Sequence, residues 1–335
     1  MQVTILIPGY GLPSAVISPL EVFSNTGVIW NTLLGEDVSA TFEVTTASLD
    51  GKPVHFDGGI TIQPDKSVAQ IRKTDLIFIP TIGLDIDRVC SRNRGMIRFL
   101  QRQAASGTTV AAVCSGVAML AESGLLDGRP ATTHWAIADR FRKRYPRVDW
   151  KPELFITESE NIFCGGGVYA ALDLCLYLVE RFAGYDVAKQ CGRALLIDAP
   201  RTWQASFSAP MLNQQHHDEK ILPVQEYLHE YFSTHINIDD LAQRAGMSTR
   251  NFTRRFRQAT GEPPITYLHK LRINCARQLL ETDFKSVQQV CYEVGYEDIP
   301  FFRKIFKRYT GLAPKEYKQR FAGRCASREI ITRVV

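Results

Sequence analysis

The sequence predicts two domains of different class: an α/β domain whose parallel sheet is covered on both faces, then an all-α domain holding two helix-turn-helix units. Three observations predict this. Residues 1–195 alternate short apolar, β-branched runs with helical patterns, the arrangement of strand–helix–strand units. Residues 241–317 contain one motif twice. Charge also divides along the chain: residues 1–222 carry 21 Lys+Arg against 23 Asp+Glu, a net of −2, whereas residues 223–335 carry 19 against 12, a net of +7. At 335 residues, 45% hydrophobic and 22% charged, the chain is long for one core and has an ordinary globular composition.

In the first part, strands are expected over 3–8, 42–47, 76–80 and 109–113. Helical patterns fall near 19–31, 92–105, 115–123, 136–144 and 168–182. Ligands of such sheets gather at the C-terminal ends of the strands, where Pro8, Gly9 and Cys114 lie. In "TTVAAVCSGVAML" a strand runs into Cys114, Ser115, a glycine and a helix. Such an elbow projects the thiol into the cleft, and the helix N-terminus favours a thiolate or a bound anion. A buried structural cysteine is the alternative. His134, in "TTHW", is the candidate partner for the thiol, as base or orienting group.

The eight cysteines sit mostly in apolar runs, with no C-x-x-C pair and no Cys/His ligand spacing, so reduced thiols are expected, without metal or cofactor. The opening "MQVTILIPGYG" lacks a basic n-region and a cleavage site, and no apolar run approaches 18 residues; a cytoplasmic protein with no membrane partner is expected. The polar tract 201–220, with His216 beside His217, reads as a solvated linker rather than a metal site.

The basic part carries the repeat. Gly246 matches Gly295 at an offset of 49, and Phe252, Phe256, Gly261, Pro264 and Tyr267 match Phe302, Phe306, Gly311, Pro314 and Tyr317 at an offset of 50. Each copy reads as a helix, a glycine turn and a second helix, which Ser248 caps in the first copy. At about 100° per residue, Phe252 and Phe256 share a buried face and Arg250, Arg254 and Arg257 lie opposite. In the second copy Phe302, Ile305 and Phe306 are inward; Pro300, Lys304 and Lys307 are outward, with Arg303 on the flank. The N-terminal part of the second helix enters the major groove, so Arg250, Thr253 and Arg254 suit base edges and Arg257 suits phosphate. Between the copies, Leu268, Leu271, Ile273, Ala276 and Leu279 mark one long helix that would hold two reading heads about 34 Å apart.

The segments "DDLAQRAGMSTRNFTRRFRQATGEPPITYLHKLRINCARQLL" and "VCYEVGYEDIPFFRKIFKRYTGLAPKEY" resemble the AraC/XylS family of transcription regulators. The resemblance implies that Arg250, Thr253 and Arg254 contact DNA from the first recognition helix and Lys304 from the second. "AAVCSGVAMLAESGLLDGRPATTHW" resembles the PfpI-like superfamily, whose domains are flavodoxin-like sandwiches and whose order fits residues 1–195. Such a domain ahead of an AraC-type module is similar to the GlxA-type regulators. By that resemblance Cys114 is the elbow cysteine and His134 the histidine of the His-Trp segment. Thiol enzymes of the superfamily, such as isocyanide hydratases, place an acid four residues before a proline matching Pro19, and this chain has Ala15 there. Glu21, one helical step beyond, is left as a helix-face or pocket residue. Without the acid the thiol lacks its proton-handling partner.

The reading is therefore a regulator, not an enzyme. A sensing and dimerising domain spans 1–195, a linker 196–222, the DNA-binding domain 223–325 and a tail 326–335. The expected partners are promoter DNA, a second copy of the chain, RNA polymerase and a small effector at Pro8, Gly9, Cys114, Ser115 and His134. The resemblance suggests an amino acid, betaine or similar nitrogen compound as that effector. A thiol-dependent hydrolase or hydratase, or a Cys114 redox sensor, tethered to DNA is the competing class.

Overall fold

The computed structural model describes residues 1–197, 216–282 and 285–321. The interior of the expected linker and the tail at 326–335 lie outside the described residues. The chain divides into two compact units, Met1–Gln204 and Ala205–Val335.

The first unit is built on a seven-stranded sheet. Its strands are β1 (Gln2–Leu6), β2 (Glu43–Ser48), β3 (Lys66–Ser67), β4 (Leu76–Ile79), β5 (Thr109–Val113), β6 (Ile156–Ser159) and β7 (Ile162–Gly165). The order is β6-β7-β5-β4-β1-β2-β3, parallel throughout except for the β6–β7 hairpin. Side-chain alternation makes two cores. Val3, Ile5, Phe78, Ala111, Val113 and Phe163 face helices α1 (Ser14–Asn25), α7 (Ala170–Ala183) and α8 (Tyr185–Ala194). Leu6, Ile77, Ile79, Val110, Ala112 and Ile162 face α3 (Ile86–Arg92), α4 (Arg94–Ala105), α5 (Val117–Glu122) and α6 (Ala138–Arg144). A sheet buried on both faces explains the nearly continuous apolar strand segments of the sequence.

The flavodoxin-like expectation holds, with differences in detail. The helix expected over 19–31 is two, α1 and α2 (Ile29–Leu34), and α1 starts before Pro19 and carries it inside. The helix expected at 92–105 divides at Asn93, whose buried amide donates to the carbonyl oxygens of Pro8 (2.9 Å) and Val89 (3.0 Å). The hairpin β6–β7 and helix α8 were not expected at all.

The second unit holds α9 (Leu222–Tyr231), α10 (Ile238–Arg244), α11 (Thr249–Thr260), α12 (Pro264–Thr282), α13 (Val287–Glu293), α14 (Ile299–Thr310) and α15 (Pro314–Phe321). The sequence repeat is a structural repeat. Ser248 and Asp298 cap α11 and α14, each accepting a backbone N–H from three residues on, and Gly261 and Gly311 close both helices in the left-handed conformation. Phe252, Phe256 and Tyr267 pack tilted and edge-on at 5.5 Å spacings in one core, and Phe302, Phe306 and Tyr317 likewise at 5.7 and 5.3 Å in the other.

Helix α12 serves both cores. Tyr267, Leu268 and Leu271 belong to the first, Ile273, Ala276 and Leu280 to the second; the fully buried residue near its end is Leu280, with Leu279 only partly covered. Leu271 and Ile273, two residues apart, point to nearly opposite sides of the helix, so the two units flank it. A second tie joins them. The Arg272 guanidinium donates to the carbonyl oxygens of Phe232 (2.7 Å) and Thr234 (2.8 Å) and lies 5.2 Å from the Tyr296 ring. Phe232 packs against both cores. The spacing of the two units is thus fixed by packing as well as by the helix. Among the described residues no helix is long and apolar enough to cross a membrane.

Candidate functional site

The elbow forms where β5 delivers Cys114 in a left-handed conformation, φ +56°. For a residue with a Cβ this strain costs on the order of 1–3 kcal/mol, and it persists only where neighbours enforce it. The neighbours are identifiable. A Cβ on Gly116 would lie 2.1 Å from the Pro80 carbonyl oxygen, so only glycine lets the turn press onto the end of β4. The buried Ser115 hydroxyl lies 2.8 Å from that of Thr81 and accepts the Ile82 N–H at 3.0 Å. The Thr133 hydroxyl donates to the Cys114 carbonyl oxygen at 2.7 Å. Strand ends β4 and β5 and the segment before α6 are thereby locked together.

The chemistry at the thiol departs from one expectation. Cys114 is 7% exposed and packs in the core with Val113 and Phe163. Burial pushes its pKa up, while hydrogen bonds from Thr81 and Ser115 act in the opposite sense without prevailing. The thiol is therefore protonated at neutral pH, not held as a thiolate by the short helix that follows. His134 does not correct this. Its Nδ1 accepts the Ala136 N–H at 3.1 Å, its ring lies 5.4 Å from that of Trp135, and burial lowers its pKa, so it is neutral. Among the described residues the ring is bonded to backbone at Ala136, not to the thiol; Thr133, the preceding residue, makes the bond to the elbow.

Helix α1 does not supply the acid at the expected position. Ala15 is buried in the first turn of α1, and Glu21 is exposed on the same helix, the first of the two places the sequence allowed it. The turn after β1 is anchored at Pro8 through Asn93, and Tyr10 is gripped by Arg92, whose Nη1 donates to its hydroxyl at 2.5 Å, and by Arg88, 5.4 Å from its ring. Sequence reasoning missed Thr81, Thr133 and Asn93. Thr81 was findable, because it follows the expected strand end at Pro80; the others act through contacts distant in sequence.

These observations give a measurable consequence. Alkylation of Cys114 in the native full-length protein, followed by peptide-resolved mass spectrometry, should rise with pH through pH 9 without levelling, as a thiol with a raised pKa requires. A plateau below pH 8 would show an activated thiolate.

In the second unit, Phe252 and Phe256 are fully buried while Arg250, Arg254 and Arg257 are exposed and Thr253 is half-buried. Arg254 is held outward by Oδ1 of Asn251 (2.9 Å) and Oε1 of Gln258 (3.0 Å). Thr249, Arg250, Thr253, Arg254, Arg257 and Gln258 line an open cleft of about 850 Å³. Arg255 points elsewhere, to Asp218 at 2.6 Å, which holds that carboxyl below the usual range. On α14, Arg303, Lys304 and Lys307 are exposed and Phe302, Ile305 and Phe306 are buried. His216 is not a solvated linker residue: its Nε2 lies 3.0 Å from Oε1 of Gln225, and its Nδ1 accepts the Asp218 N–H, which docks it at the start of α9. Among the described residues no group of three or more His, Cys, Asp or Glu is placed to hold a metal ion.

Known proteins share both halves. Residues 1–181 match the DJ-1/PfpI family and residues 241–320 a helix-turn-helix domain. The chain is 29% identical over 275 residues to the HTH-type transcriptional regulator GbdR of Pseudomonas aeruginosa, covering 82% of this chain and 74% of that protein. It is 27% identical over 224 residues to the HTH-type transcriptional regulator GlxA of Rhizobium meliloti, covering 66% and 68%. The crystal structure of a THiJ/PfpI family protein from Pseudomonas syringae shares the fold, with a TM-score of 0.51 at 20% identity, over 73% of this chain and 90% of that one. The chain belongs to the DJ-1/PfpI family, among the transcriptional regulators that join such a domain to an AraC-type helix-turn-helix module.

Proposed function

We propose that the protein is a cytoplasmic, dimeric regulator in which residues 1–195 bind a small effector and residues 223–325 bind promoter DNA. The observation that carries the DNA half is the repeated geometry. Two helices of equal length, capped at matching positions, each bury a phenylalanine pair and turn basic side chains outward. Arg250, Thr253 and Arg254 read base edges; Arg257, Arg303, Lys304 and Lys307 add contacts from the outer faces, Arg257 and Lys307 to phosphates. The effector site is the strand-end cleft of Pro8, Gly9, Cys114, Ser115 and His134. A neutral thiol, a neutral His134 bonded to backbone and the absence of an acid at Ala15 support binding there rather than catalysis. An amino acid, a betaine or a similar nitrogen compound is the effector class to try first, and RNA polymerase is a further partner.

The test of the DNA roles uses the full chain on selected and random duplexes across a salt series. Arg254→Ala should cost about 1–3 kcal/mol on the selected sequence and relax preference at one position. Lys307→Ala should weaken all sequences alike and flatten the salt slope by about one unit. Equal losses from both substitutions on specific and random DNA would contradict the assignment.

A further inference from the structure

The two recognition helices are aligned at both ends yet differ in the chemistry they turn outward, most sharply at the residue that opens each outward row. From the N-caps Ser248 and Asp298 to the closing glycines Gly261 and Gly311, α11 and α14 have the same length. Their outward rows therefore correspond residue for residue: Arg254 with Lys304, Arg257 with Lys307, and Arg250 with Pro300. The first two pairs keep a cation. The third replaces a guanidinium by an exposed pyrrolidine ring at the second helical position, where proline fits because the missing N–H has no partner within the helix.

We propose that Pro300 reads thymine, which makes the two halves of the site chemically unequal; this rests on the reading of α11 and α14 as recognition helices. Pro300 lies one turn before Lys304 and two before Lys307 on the same outward line, so anchoring those cations on DNA brings the ring to the groove floor. A pyrrolidine ring has neither donor nor acceptor to offer a guanine, adenine or cytosine edge. The apolar group the major groove displays is the C5 methyl of thymine. The ring is rigid and loses no rotamer freedom on contact. Beside it Phe301 is 45% exposed and fixed by ring contacts with His269 (5.9 Å) and Tyr296 (6.0 Å), which extends the apolar corner along the flank of α14. On α11 the matching residue is Asn251, so that flank is polar. The structure thus assigns guanine-type reading to Arg250 and methyl reading to Pro300.

The experiment selects bound duplexes from a randomised DNA library with the full-length wild type, Pro300→Ser and Pro300→Arg. Pro300 is exposed, so both variants keep the buried face of α14 intact. Wild type should enrich a thymine at one position of the half covered by α14. Replacing that thymine by deoxyuridine, which lacks only the methyl group, should weaken wild-type binding about three- to four-fold, the worth of one buried methyl. Pro300→Ser should bind thymine and deoxyuridine equally, and Pro300→Arg should prefer guanine there by about ten-fold. Indifference of the wild type to the methyl group, or an unchanged discrimination in Pro300→Ser, overturns the proposal and leaves DNA reading by the two helices standing. Failure to enrich any sequence overturns both.

Discussion

Replacing Gly295 by alanine should destabilise the second unit by about 2–4 kcal/mol, while the same change at Gly246, its counterpart in the repeat, should cost about 1 kcal/mol. Both glycines have positive φ, +83° and +64°, so both substitutions carry the conformational penalty. They differ in surroundings. A Cβ on Gly246 meets nothing within 4 Å, whereas one on Gly295 would lie 2.5 Å from the carbonyl oxygen of Ser233 and 2.9 Å from its Cα. Those atoms are backbone, held in place by the adjacent Arg272 bonds to Phe232 and Thr234, and cannot swing aside. The Gly295 variant must therefore loosen the tie between the two helix-turn-helix units and should also lose affinity for sites that engage both. Urea unfolding followed by far-UV circular dichroism, with DNA binding in parallel, checks this. Equal destabilisation by the two substitutions would mean that the tie bears no load.

The second unit was legible almost to the residue because its local signals and its long-range packing coincide. The glycine turns and the four-residue phenylalanine spacing appear in sequence, and the repeat checks each against a second copy, while of the two caps only Ser248 was read there. The first unit was legible as strand and helix alternation and as a Cys114 elbow. What escaped there depends on contacts between distant segments. The break at Asn93 is set by its bond to Pro8, 85 positions away, and the hairpin β6–β7 is recruited by pairing with β5. The choice between an elbow thiolate and a buried neutral cysteine stayed open in sequence, because the sequence shows the following helix but not the degree of burial, and burial dominates. His134 lay in the expected segment, yet its ring is committed to its own backbone turn, a local geometry that residue type alone does not reveal.

A Cys114→Trp substitution should abolish the response to the effector while leaving DNA binding measurable. The side chain is 7% exposed, and the elbow is locked by Ser115, Thr81 and Thr133, so an indole can be placed only by displacing the atoms packed around the proposed effector site. The DNA-binding unit has its own cores and should be untouched. Cys114→Ser keeps size and polarity while removing nucleophilicity, so a binding cleft should tolerate it with a modest change in affinity. A fully responsive Cys114→Trp protein would place the effector elsewhere.

The central claim, that the first unit binds a small molecule without transforming it, is tested most directly by one paired measurement. Full-length wild type and Cys114→Ser are melted in the presence of a panel of amino acids and betaines, and the concentration of any stabilising compound is followed over the same incubation. The account predicts a compound that stabilises both proteins, by about 2.7 kcal/mol at a hundred-fold excess over its Kd, and whose concentration does not change. Consumption of that compound by wild type, absent in Cys114→Ser, would contradict it and establish thiol chemistry at the elbow.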